Sequence, residues 1–303
     1  MTNGVRDVSR PIQPGENTWD PFILVPCGKC LNCRTNRQNE WAFRMEQEYI
    51  AIQQIGGCAY FVTFTYYDEC LTYGAEEATL VKRDVQLFHK RLRKAGLVFR
   101  YFTIGEYGGK LGRPHYHGMY FFRDYYTAED VHELMFPHWN MCAPERFTVD
   151  PFSIEDAKYI AKYSLKSPFI DSSGLQPPFS LSSRNPAIGA SFLFGSAAKQ
   201  VVVNQSYKVF DTGGTPYNIP RYYKQKLFTP LERYNIVQEF QYKKFCFGIQ
   251  RYNNDISAYV DAEYKRMDEL RLEEQYKVRQ MAMDDIGKDC RVSLEDYLKI
   301  FDK

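Results

Sequence analysis

Two histidines, His115 and His117, stand one residue apart in "GRPHYHGMYF" (112–121), and the chain holds five histidines in all. On a β-strand, alternation aims both at one side of the sheet and Tyr116 at the other. Imidazoles at i and i+2 can share one cation. Glu106 lies at the end of the preceding expected strand. Its carboxylate approaches the two rings if 98–106 and 114–122 pair antiparallel. Two histidines and one carboxylate leave positions open for water and phosphate oxygens, as Mg2+ or Mn2+ needs for hydrolysis or group transfer. The plainer reading is two incidental strand histidines. Flanking glycines, basic surroundings and Glu106 favour the metal.

A second patch is "YIAKYSLK" (159–166). At 100° per residue from Ile154, the residues Ile154, Ala157, Ala161 and Leu165 form one apolar stripe. Tyr159 and Tyr163 fall at roughly 140° and 180°, with Lys162 and Lys166 at roughly 80° and 120°. The tyrosines are an i,i+4 pair, each followed by a lysine three residues on. A phenol is a poor nucleophile while its pKa is near 10, and a nearby ammonium or metal favours the phenolate. The alternative is an amphipathic helix with surface tyrosines and solvated lysines. A third patch, Cys27, Cys30 and Cys33 in "PCGKCLNCR", has zinc-knuckle spacing but needs a fourth ligand for structural Zn2+. Cys58, Cys70, Cys142, His132 and His138 are candidates without diagnostic spacing. Three free or buried thiols are the alternative.

These side chains need elements to hold them. Prolines at 11, 14, 21 and 26 mark residues 1–26 as an extended arm. A helix is expected from about Asn32 to Gln54, stopped by Gly56-Gly57. "AYFVTFTYY" (59–67) reads as a strand. "LVKRDVQLFHKRLRKAG" (80–96) reads as a helix ending at Gly96, with Val81, Val85, Phe88 and Leu92 on one face. "VFRYFTIGEYG" (98–108) is a strand joined to the histidine strand by a glycine-rich connection. Short helices follow at 127–136, with Thr127 and Asp130 as a capping pair, and at 153–166, with Ser153 as N-cap. Residues 167–220 are rich in Ser, Gly and Pro, with a hairpin expected at "DTGGTP" (211–216). From Pro230 the pattern is helical and charged. The expected domains are the arm 1–26, a Cys-rich segment and helix 27–57, a core 58–228, and a helical extension 229–303. Strands and helices do not alternate regularly, so the fold class is α+β, a central antiparallel sheet flanked by helices.

Net charge is +2 over 303 residues, but it is unevenly placed. Residues 81–117 carry nine Lys/Arg against Asp84 and Glu106, and the stretch after 255 is acidic. A basic middle points to a polyanion, with Lys90, Arg91, Arg93, Lys94 and Arg113 as DNA-backbone contacts. Aromatics at 16% offer stacking surface for unpaired bases as well as core. There is no run of 18 apolar residues and no opening signal peptide, so no membrane partner and a cytoplasmic setting are expected. No phosphate-binding G-x-x-x-x-G-K-[ST] loop occurs, which argues against an ATP-driven helicase.

The ordered set resembles the HUH endonucleases that start rolling-circle replication: the strand "FVTFTY" (61–66), then His115-Tyr116-His117, then the helix of Tyr159 and Tyr163. "VPCGKCLNCR" (25–34), "RYFTIGEYGGKLGRPHYHG" (100–118), "SRNPAIG" (183–189) and "IPRYYKQKLF" (219–228) are similar to the replication-associated proteins of gokushovirus-type single-stranded DNA phages. Ala187 stands where that family pattern suggests Gly. The resemblance implies strands 61–66 and 115–121 side by side at the sheet centre, and the tyrosine helix on the histidine face. It implies a nick in single-stranded origin DNA by tyrosine attack, a 5′-phosphotyrosyl link, a free 3′-hydroxyl primer and rejoining of the circle. Host helicase and DNA polymerase are the implied partners, and the bacterial host cytoplasm the implied setting. A non-catalytic single-strand-binding module, an HUH transposase or relaxase, and a zinc-dependent structural protein are the rivals.

Overall fold

The computed structural model describes residues 5–7, 22–24, 30–74, 77–108, 112–163, 175–210 and 216–286. In chain order the elements are β1 (Val5–Asp7), β2 (Phe22–Leu24), α1 (Leu31–Gln54), β3 (Cys58–Phe64), β4 (Thr72–Tyr73), β5 (Ala78–Thr79), α2 (Lys82–Lys94), β6 (Phe99–Tyr107), β7 (Pro114–Phe122), α3 (Ala128–Met135), β8 (Thr148–Pro151), α4 (Ile154–Tyr163), β9 (Phe179–Ser182), α5 (Ser196–Val203), β10 (Lys208–Phe210), β11 (Pro216–Asn218), α6 (Arg221–Leu227), α7 (Pro230–Gln250) and α8 (Ile256–Ile286). They fall into two compact units. One is essentially Arg37–Phe194, and the other gathers the N-terminal residues with those after Gly195.

The Arg37–Phe194 unit is built on a five-stranded sheet of order β8-β3-β7-β6-β9, and every neighbouring pair is antiparallel. β7 lies at the centre. Alternation splits its side chains into two cores. Tyr116, Tyr120 and Phe122 join Tyr60, Val62 and Phe64 of β3 on one face, under Val85, Phe88 and Leu92 of α2 and Val131 and Met135 of α3. Met119 and Phe121 join Ala59 of β3 and Phe102 and Ile104 of β6 on the other, under Met45 and Ile52 of α1 and Ala157, Ile160 and Ala161 of α4. β7 is buried on both faces, so its sequence reads as an almost unbroken apolar run. His115 and His117 interrupt that run on the α1/α4 face.

The sequence expectations for α1, β3, α2, β6, β7 and α3 hold. Gly56 (φ +78°) and Gly96 (φ +91°) stop their helices in the left-handed region. Thr127 and Asp130 form the reciprocal capping box of α3. Several points differ. The 1–26 arm contains a short antiparallel ladder, Val5–Asp7 with Phe22–Leu24. The 167–220 stretch contains β9, α5 and β10, and β10 and β11 form the expected hairpin around a turn (211–215) outside the described residues. The sheet unit takes in the α1 residues from Arg37 and ends at Phe194, so it starts earlier and stops sooner than a 58–228 core. In α4, Ile160 is buried while Ile154 is 39% exposed, so the apolar stripe is Ala157-Ile160-Ala161. Leu165 lies outside the described residues.

In the second unit, α7 opens with a capping box between Thr229 and Glu232. α7 meets α8 through Phe245 and Tyr259, ring centroids 5.5 Å apart. Gly248 makes room there, since a Cβ would lie 2.5 Å from the Tyr259 ring. No helix among the described residues is long and apolar enough to cross a membrane.

Candidate active site and nucleic-acid interface

The register of three strands assembles the site. Glu106 of β6 is directly opposite His115, and Thr63 of β3 is directly opposite His117. Directly paired residues share a face, so Thr63, Glu106, His115 and His117 all project toward α4. Glu106 is 5% exposed and His117 9%. Glu106 Oε1 lies 3.2 Å from His117 Nε2, the diagonal neighbour. His117 Nδ1 lies 2.9 Å from Thr63 Oγ1. Phe61, also on β3, stacks against the His117 ring at 5.5 Å with an 8° interplanar angle.

His115 is held separately. Its Nδ1 is 2.7 Å from the Arg113 carbonyl oxygen. A carbonyl can accept and cannot donate, so Nδ1 carries the hydrogen and Nε2 keeps its lone pair. Burial holds His115 below the usual imidazole range, and His117 pushes the same way. It is therefore a neutral ring at neutral pH. The His115 and His117 rings are nearly parallel, 6.5 Å apart. Gly108 closes this end: its N–H donates to the Arg113 carbonyl at 2.9 Å, and a Cβ there would come within 3.0 Å of the His115 ring.

α4 brings the phenol. Ser153 Oγ accepts from the Asp156 N–H at 3.0 Å and starts the helix. Ala157, Ile160 and Ala161 seat it on the sheet. Tyr159 then stands at the edge of that contact, 40% exposed. Its hydroxyl donates to Glu106 Oε1 at 3.4 Å, and its ring meets that of His117 edge-on at 5.7 Å. Tyr163 is one helical turn further on, at the last described residue of α4, and its side chain lies outside the described set. Lys162 is exposed. Lys166 lies outside the described residues.

The donor set suits a divalent cation. Glu106 Oε2 is buried with no hydrogen-bond partner, an unusual state for a carboxylate oxygen. Beside it are His117 Nε2 and the His115 ring. Oxygen and imidazole donors of this kind fit Mg2+ or Mn2+. Among the described residues, no three His, Cys, Asp or Glu side chains already stand close enough together to hold an ion. Glu106 and His117 are in place, and His115 sits to one side.

The cations expected on DNA are distributed differently. Lys90, Arg91, Arg93 and Lys94 are exposed on α2, which packs on the sheet face opposite the histidines. Arg91 Nε donates to the His138 carbonyl at 3.0 Å, and Arg93 lies over the rings of Phe99 and Tyr101. Arg113 pairs with Asp68 and donates to the Tyr66 carbonyl, while its Nε is buried without a partner. It braces the loop before His115 and is turned into the protein. Asp68 is accordingly Arg113's partner. Of the cysteines, Cys27 lies outside the described residues. Cys30 is buried and Cys33 half-buried, with the Cys33 N–H 3.4 Å from Cys30 Sγ. Cys58 and Cys142 are core thiols of the sheet unit.

Thr63, Phe61 and Gly108 were not singled out from sequence. Thr63 was findable, because any register that pairs 61–66 with 115–121 sets residue 63 opposite 117.

A carboxylate, two strand histidines and a helix-borne tyrosine on one side of an antiparallel sheet are the equipment of a phosphoryl-transfer protein. Residues 59–168, which contain all four, match the family described as replication-associated protein ORF2. The chain is 27% identical over 218 residues to replication-associated protein ORF2 of Spiroplasma virus 4, covering 67% of each. It is 29% identical over 254 residues to replication-associated protein VP4 of Bdellovibrio phage phiMH2K, covering 71% of this chain and 75% of the relative. No solved structure matches. The chain is thus related to the replication-associated proteins of small phages, a microvirus-type replication protein.

Proposed function

We propose that the chain nicks and rejoins single-stranded DNA as a rolling-circle replication initiator of the HUH type, with Tyr159 as a nucleophile. One observation carries this reading. The Tyr159 hydroxyl is hydrogen-bonded to Glu106 Oε1, which is itself 3.2 Å from His117 Nε2. Nucleophile, carboxylate and imidazole therefore converge, and the tyrosine is open to solvent from which a strand can enter.

Glu106, His117 and His115 would hold the Mg2+ or Mn2+. The ion, when bound, supplies Lewis-acid polarisation of a phosphate oxygen. Glu106 orients the phenol by accepting its hydrogen bond and is placed to hold the proton that leaves it. Thr63 fixes the His117 ring, and Phe61 blocks one face of it. Attack of the Tyr159 oxygen on phosphorus forms a phosphotyrosyl ester and breaks the bond to the 3′-oxygen, which leaves as a 3′-hydroxyl. The ester keeps the bond energy for rejoining. Tyr163, one turn along α4, is the second nucleophile of the same cycle. Lys162 and Lys166 counter charge on phosphate or phenolate. Host helicase and polymerase would extend from the freed 3′ end.

The test separates chemistry from binding. His117→Ala should abolish nicking of single-stranded DNA in Mn2+ while strand binding, read by gel shift, stays near wild type. Equal loss of both would mean a structural histidine and would support a binding module without catalysis.

A further inference from the structure

The turn "SRNPAIG" (183–189) follows β9 and takes no part in the reaction above. Its backbone is nonetheless fixed by ionised side chains. Arg100 of β6 donates to the carbonyls of Pro186 and Ala187, both at 2.9 Å. Arg44 of α1 donates to the Ile188 carbonyl at 3.0 Å. Glu48 of α1, 5% exposed, accepts from the Gly189 N–H at 2.7 Å and pairs with Arg100. At the other end the Ser183 N–H donates to the Tyr101 carbonyl at 2.9 Å, and Ser183 Oγ accepts from the Tyr101 N–H at 3.1 Å. Between these clasps, Arg184, Asn185 and Pro186 are exposed.

A buried ion pair adds little net stability over an apolar replacement of the same volume. Here its remaining hydrogen bonds all go to one surface turn. That is how a rigid scaffold presents recognition side chains. The side chains presented are Arg and Asn, the two that bond guanine and adenine edges in bidentate fashion. Around them the guanidiniums of Arg44, Arg100 and Arg184 stand against the carboxylate of Glu48, which favours a polyanion. Arg100 and Glu106 sit on the same face of β6, roughly 20 Å apart at 3.3 Å per residue. A strand with one phosphate at Tyr159 can therefore run along that face to the turn.

We propose that the 183–189 turn is a base-reading element for the DNA strand, in which the Arg184 guanidinium and the Asn185 amide contact base edges to one side of the nicked phosphate. This rests on the reading of the Tyr159 site as DNA-nicking.

The experiment is a binding selection with the full chain. A randomised single-stranded DNA pool is incubated in EDTA, so no cleavage enters, and retained strands are sequenced. Wild type should enrich a motif. Arg184→Ala and Asn185→Ala should each flatten one or two adjacent positions, cutting enrichment there roughly tenfold, and leave the rest of the motif. Arg184→Lys should flatten the same position at near wild-type affinity, since it keeps the charge and loses the fork. An unchanged motif in both alanine variants would overturn the proposal. So would a uniform drop in affinity with the motif intact, which is a phosphate contact, or a wild type that enriches nothing. Adduct formation through Tyr159, measured separately in Mn2+, tests the reaction, and its failure would leave the selection result standing.

Discussion

His117 is gripped from three sides, by Thr63 at Nδ1, Glu106 at Nε2 and Phe61 against its face. A partner that orients a metal-binding imidazole commonly matters 10- to 100-fold for metal affinity or activity. Thr63→Val should therefore raise the Mn2+ concentration for half-maximal nicking by about tenfold or more, and Thr63→Ser should restore it. Equal behaviour of the two variants would remove Thr63 from the account. His89 is the other notable residue. It is 2% exposed, with Nε2 2.9 Å from the Tyr120 hydroxyl and Nδ1 without a partner. Burial pushes its imidazole down to about 3 from 6.5. The unfolded chain takes up this proton near 6.5, the folded chain near 3. Between those values the unfolded state holds more protons, so stability rises with pH through the window and is fully present above it. His89→Phe should flatten the pH dependence of Tm between about pH 4 and 6.5. Identical slopes for wild type and variant would contradict the assignment.

At the scale of elements, the β3-β7-β6 register is what makes the site. Gly118, between the histidines and Met119, sits where a Cβ would lie 2.5 Å from the Tyr120 ring and 2.9 Å from Thr103 Oγ1. Gly118→Ala should cost about 1–3 kcal/mol in urea unfolding, as overpacking does. Glu48→Gln should cost about 3 kcal/mol or more by the same measurement, because it leaves Arg100 without its counter-charge. Much of this geometry was legible in sequence. Period-two alternation marks β3, β6 and β7, and pairing 98–106 with 114–122 brings Glu106 to the histidines without coordinates. Tyr159 was legible as standing off its helix's apolar stripe. The layer of α2 was not, because Val85, Phe88 and Leu92 show that one helix face is buried but not which side of the sheet it meets. The Glu48–Arg100 clasp was equally hidden. Its two charges are 52 residues apart and look like ordinary surface residues. β8 and β9 are four residues each and carry no alternation strong enough to read.

For the molecule as a whole, the two sheet faces divide the labour. The α1/α4 face carries the catalytic side chains and the braced 183–189 turn, and the α2/α3 face carries exposed cations and the larger aromatic core. Replacing Lys90 and Lys94 with Gln should therefore leave adduct yield at saturating strand unchanged, and a large loss would put the DNA path on the opposite layer. The central claim is that a tyrosine of α4 becomes bonded to DNA. The most direct measurement is to incubate the full chain with single-stranded DNA and Mn2+, resolve it on a denaturing gel, and map the modified peptide. The account predicts an adduct on Tyr159 or Tyr163, absent in EDTA and absent in the Tyr159→Phe, Tyr163→Phe double variant. An adduct that persists in that double variant would contradict it.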